Sequence, residues 1–78
     1  MANELKLRGI NEDYIITTIK VRFMKWYGEY ETAICIDGDT NWKIVKAYDT
    51  EEEAIRGHKD FMSMSLYDLD HLESIPML

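Results

Sequence analysis

At Asp49 the hydrophobic period of this chain changes from two residues to three and four, and that change sets what it can fold into. An alternating pattern suits a strand with one buried face; recurrence at three and four suits an amphipathic helix. The opening of the second pattern is well marked. Thr50 and Glu53 form an S/T-x-x-E capping box, and Glu51, Glu52 and Glu53 set carboxylates at the positive end of the helix dipole. Ala54, Ile55, His58, Phe61, Met62, Ser65, Leu66, Leu69 and Leu72 then come at helical spacing, with Arg56, Lys59, Asp60 and Asp70 mostly opposite. The pattern predicts a helix from about Glu51 to at least Ser65, breaking near Ser63 to Ser65 and resuming through Leu72. Gly57 inside it costs about 1 kcal/mol relative to Ala. Its presence makes sense if the helix crosses a sheet so closely there that a side chain would clash.

Upstream, Tyr14 to Tyr27 is rich in β-branched and aromatic residues. Ile19, Val21 and Phe23 are expected on one face, Met24 and Trp26 on the other. Gly28-Glu29 then breaks the run and suits a hairpin turn. Tyr30, Thr32, Ile34 and Ile36 define one face of a second strand. Asp37-Gly38-Asp39-Thr40-Asn41 is the clearest turn sequence, since Asp, Asn and Gly tolerate left-handed backbone. Trp42 to Tyr48 reads as a third strand, with Trp42, Ile44 and Tyr48 on one side and Val45 and Ala47 on the other. Leu5 and Leu7 alternate with Lys6 and Arg8, so residues 1–13 form either an extra strand, turned by Asn11-Glu12-Asp13, or a tail. The expected fold is α+β in one domain over residues 1–78. A three-stranded antiparallel meander over 14–48, four-stranded if the first segment pairs, carries one main C-terminal helix over 50–72 on one face.

Charge narrows the partners. The net charge is −6 over 78 residues. Residues 49–78 hold eight acids against Arg56 and Lys59, so the acidity belongs to the last third. Such a surface repels nucleic-acid backbones and attracts basic proteins. No apolar run approaches the roughly 20 residues of a membrane helix, and Met1 to Gly9 lacks the apolar core of a signal peptide. One cysteine, Cys35, excludes an internal disulfide and suits a reducing compartment.

Little here reads as chemistry. His58 and His71 have no second His or Cys at metal spacing. Asp68, Asp70 and His71 form a weak metal pattern, because helix geometry turns the two carboxylates about 200° apart. Asp37, Asp39 and Asn41 place their glycine wrongly for a calcium loop. Cys35 lies in an apolar strand with no adjacent base, and Ser63 and Ser65 lack a nucleophile elbow. The expectation is a non-enzyme with no metal and no cofactor.

One helix covers one face of a small sheet, yet these strands carry apolar residues on both. Trp and Tyr dominate binding hot spots. The candidate contact residues are therefore Trp26, Tyr30 and Trp42 for packing, and Glu51, Glu52, Glu53, Asp60, Asp68 and Asp70 for charge.

The run Trp26-Tyr27-Gly28-Glu29-Tyr30-Glu31-Thr32-Ala33, then Trp42, Tyr48-Asp49-Thr50-Glu51-Glu52-Glu53-Ala54 and Gly57-His58, resembles a class of small uncharacterised proteins of tailed bacteriophages and prophages. The resemblance covers about residues 26–60. It implies no catalytic residues, and it implies a phage or prophage origin and a host bacterial cytoplasm. The expected function is a non-enzymatic protein-binding module, an acidic inhibitor of a host or defence nucleic-acid-binding protein. The rival expectation is an accessory protein that assembles with itself through its sheet.

Overall fold

A computed structural model describes residues 5–11, 13–21, 28–36 and 42–75. Four strands, β1 (Lys6–Asn11), β2 (Tyr14–Lys20), β3 (Tyr30–Ile36) and β4 (Trp42–Tyr48), precede two helices, α1 (Glu51–Met62) and α2 (Leu66–Asp70). The strands lie in sequence order, each antiparallel to the next. The architecture is the expected α+β meander, and the Leu5 to Arg8 alternation does form the fourth strand.

Period two decides the buried face. Tyr14, Ile16 and Thr18 of β2 are buried, and their neighbours are not. Across the ladder, Thr18 pairs with Thr32 and Ile16 with Ile34. Ala54, His58 and Phe61 of α1 come down on this face, and α2 adds Leu69. Two apolar clusters result. Tyr14, Ile16, Ile34, Phe61 and Leu69 form the larger, edged by Val45, Met62, Met64, Leu66 and Leu72. Tyr30, Tyr48 and Ala54 form the smaller, edged by Leu5.

Helix ends fall where the caps place them. Thr50 Oγ1 accepts from Glu53 N at 3.2 Å, and Glu53 Oε1 accepts from Thr50 N at 3.3 Å, completing the box. α1 stops at Met62, and Ser65 caps α2 by accepting from Asp68 N at 3.2 Å. The helical pattern thus breaks at Ser63 to Ser65 and resumes. Beyond α2, Ile75 N donates to Ile44 O at 2.7 Å and Lys43 Nζ to Leu72 O at 2.9 Å, so the chain runs back along β4.

One local expectation needs correction, and others fall where the chain is not described. β2 is described from Tyr14 to Lys20. Val21 N donates to Glu29 O at 2.8 Å, so the pairing of β2 with β3 extends one residue past Lys20 and Tyr30. Residues 22–27, with Phe23, Met24 and Trp26, and residues 37–41 lie outside the described residues. The correction concerns β4. Thr32 pairs with Lys46 but Ala33 with Ile44, so Val45 is a bulge. One extra residue inverts the alternation of the strand beyond it. Tyr48 therefore joins Val45 under the helix, not Trp42 and Ile44 on the far side.

Gly57 answers to this packing. A Cβ there would meet the Tyr48 ring, with Cζ only 2.6 Å away. Helix propensity alone would make Gly57→Ala a gain of about 1 kcal/mol. Overpacking a filled site costs about 1–3 kcal/mol, and Tyr48 is buried with its hydroxyl held 2.9 Å from Thr32 Oγ1, so a shift of the ring breaks that contact. Gly57→Ala is expected to lower the urea midpoint at unchanged slope, reversing the propensity order.

Candidate partner-binding surface

The one imidazole among hydroxyls lies under α1. His58 Nδ1 is 2.7 Å from Thr18 Oγ1, which is 2.6 Å from Thr32 Oγ1, which is 2.9 Å from the Tyr48 hydroxyl. Thr18 and Thr32 are opposed on β2 and β3, so the chain of hydroxyls tracks the ladder. Burial pushes the His58 pKa down and the Tyr48 pKa up, keeping both neutral. All four residues are buried, and no carboxylate among the described residues hydrogen-bonds to the seam. It is a core device: it satisfies polar groups between two apolar clusters.

The opposite face is different. The register sets out its rows across β1 to β4: Lys6, Ile19, Glu31 and Ala47; then Arg8, Thr17, Ala33 and Ile44; then Ile10, Ile15, Cys35 and Trp42. No described helix packs here. Trp42 is 47% exposed, Ile19 37% and Ile10 68%. The middle row holds the small Thr17 and Ala33, and larger side chains stand in the rows on either side. A shallow depression of about 290 Å³ results, lined by Arg8, Thr17, Ile19, Glu31, Ala33 and Trp42.

Glu31 is the anomaly of that face. It is only 9% exposed, and its Oε2 is buried with no hydrogen-bond partner. Burial alone pushes its carboxyl above the usual carboxylate range. Sequence reasoning does not single it out. The signal is present: once Tyr30, Thr32 and Ile34 are assigned to the covered face, Glu31 shares the other with Ala33 and Cys35.

The expected contact residues do not form one patch. Trp42 is exposed on the open face. Tyr30 is buried beside Tyr48 on the covered face and cannot reach a partner. Trp26 lies outside the described residues. Glu51, Glu52, Glu53, Asp60, Asp68 and Asp70 are exposed on the helices, away from Trp42. Two of these acids have structural work. Glu53 closes the capping box, and Asp70 Oδ1 accepts from the Tyr14 hydroxyl. Asp60 and Glu53 line a cleft of about 370 Å³ whose other walls include Lys46 and Arg56, so its charge is mixed.

The weak metal pattern is spread apart. His71 Nδ1 is 2.7 Å from Tyr67 O and its ring lies 4.1 Å from that of Tyr67, while Asp70 turns to Tyr14. Among the described residues no group of three His, Cys, Asp or Glu could hold a metal ion, and no helix is long and apolar enough to cross a membrane. Cys35 is buried. No protein-family model, curated protein or solved structure matches the chain.

Two outcomes test these assignments. Thr18→Val keeps shape but breaks the seam, leaving His58 Nδ1 and Thr32 Oγ1 each short of the neighbour that Thr18 supplies. A loss of about 1–3 kcal/mol in unfolding free energy is expected. Glu31 supplies a pH signature. A carboxyl whose folded pKa is raised binds its proton more tightly folded than unfolded, so stability falls as pH rises from the unfolded value through the folded one. Glu31→Gln removes that loss. Its melting temperature should exceed the parent's at pH 7, with the gap closing as pH falls to about 4, near the unfolded carboxyl pKa.

Proposed function

We propose that this chain is a non-enzymatic protein-binding module that docks on its partner through the open face of its sheet. The observation that carries this reading is Trp42, a large ring left half-exposed across a depression from Ile19 on a face that no described helix covers. Trp is among the residues most enriched in binding hot spots, and truncating such an anchor commonly costs about 2 kcal/mol or more. The likeness of residues 26–60 to small phage and prophage proteins supports a host or defence protein as partner, met in the bacterial cytoplasm. The net charge of −6 supports a basic partner, as an inhibitor of a nucleic-acid-binding protein would require.

Self-assembly is the second reading, and β1 favours it. Lys20 N donates to Leu5 O, so by antiparallel alternation the peptide groups of Lys6, Arg8 and Ile10 point away from β2. They form an open edge, whereas β4 has a bulge and the chain segment around Ile75 beside it.

Trp42→Ala separates the readings. The parent should capture a protein from bacterial lysate, and Trp42→Ala should lose it while melting within a few degrees of the parent. Loss of capture on neutralising Glu51, Glu52, Asp60 and Asp68 instead would move the contact to the helices. Light scattering over a wide dilution range should give the monomer mass; a concentration-dependent dimer would favour edge pairing through β1.

A further inference from the structure

Glu31 is out of place on an apolar docking patch. An apolar contact alone would bury a charge that already lacks a partner, and a buried ionised group left unpaired costs more than a neutral polar one. The same depression carries the anchor ring Trp42 and the aliphatic Ile19. We propose that this depression is a cation site, occupied by a lysine or arginine side chain of a basic partner protein. The stem would lie over Ile19, Ala33 and Trp42, and the charge would sit on the Glu31 carboxylate. The proposal rests on the docking reading above and gives it a specific anchor.

Four observations converge. Glu31 supplies an uncompensated carboxylate, more than nine-tenths buried, in the wall of the depression. Its terminal torsion is soft, so either oxygen can turn outward to meet a cation. The lining suits a side chain that is apolar along its length and charged at its tip, with an indole face that attracts cations. The volume, about 290 Å³, falls at or just below the roughly 300–1,000 Å³ of small-molecule pockets and fits one inserted side chain. A second copy of this chain is the poorer occupant, because two molecules of net charge −6 repel. Arg8 lines the same depression from β1, two strands from Glu31, and is itself exposed to water.

The test uses the full chain, ¹⁵N-labelled, at fixed ionic strength. Nα-acetyl-lysine amide, Nα-acetyl-arginine amide and the neutral Nα-acetyl-norleucine amide are titrated in turn. The Trp42 indole N–H and the Thr17 and Ala33 amides are followed. Saturable shifts with the two cationic amides are expected, at least about fivefold tighter than with norleucine, a difference of about 1 kcal/mol. That margin should vanish in Glu31→Gln, a variant expected to fold at least as well, and persist in Arg8→Gln. Equal response to lysine and norleucine would overturn the cation site and leave an apolar docking face standing. A response seen only in Arg8→Gln would overturn it by making Arg8 the resident counter-ion. No saturable response to any amide would also overturn it, and the Trp42→Ala capture experiment then decides separately whether the face docks at all.

Discussion

Both helices pack on one side of the sheet, and that one-sidedness governs everything else in the molecule. Ala54, His58 and Phe61 of α1 and Leu69 of α2 meet the same face, formed by Tyr14, Ile16, Thr18, Tyr30, Thr32 and Ile34. Close approach at Gly57, where bare backbone meets the Tyr48 ring, sets where the helix crosses. At Gly9 on β1 a Cβ would come within 2.5 Å of Met62 Sδ, a softer contact because it is with the far end of a flexible side chain. With the apolar faces of both helices spent there, the row of Ile10, Ile15, Cys35 and Trp42 has no helix to pack on among the described residues.

The seam from His58 to Tyr48 does for specificity what the clusters do for affinity of the layers. Apolar packing tolerates sliding; a chain of four polar groups spaced at 2.6–2.9 Å does not. A slip of β2 against β3 by one residue would turn Thr18 or Thr32 to the far face and strand the imidazole. His58 also locks the helix rotation, since no other residue of α1 meets the paired threonines by hydrogen bond among the described residues. In a chain this short, where burial alone leaves a small margin, one satisfied polar seam selects a single arrangement among compact alternatives.

The features legible in the sequence obey the same physics. The capping box at Thr50, the break at Ser63 to Ser65, the strand bounds Trp42 to Tyr48 and the crossing at Gly57 are local or periodic signals, and each lies where its residues imply. Parity fails where a bulge intervenes. Val45 adds one unpaired residue, and counting by two then puts Tyr48 with Trp42. No residue type marks that bulge. Tyr30 is a contact candidate by its ring alone, although its alternation with Thr32 and Ile34 already places it on the face the helix covers. Glu31 escapes sequence reasoning because a charged strand residue is ordinarily solvated. Its burial is a tertiary fact, created by neighbours on β2 and β4 that the linear sequence separates.

The two candidate surfaces differ in range as well as in place. The free acids of α1 stand at exposed positions of a helix roughly 10–12 Å across, which packs on the opposite side of the sheet from Trp42. At physiological ionic strength a charge is screened over about 8 Å. A partner seated on Trp42, as proposed, would therefore feel little of Glu51, Glu52 or Asp60 once bound. Glu31 is the reverse case. It is shielded from counter-ions by its own burial and lies in the face itself, so its field on a group seated there is weakly screened. One carboxylate in that position can decide which side chain is accepted, where the exposed acids on the helices cannot.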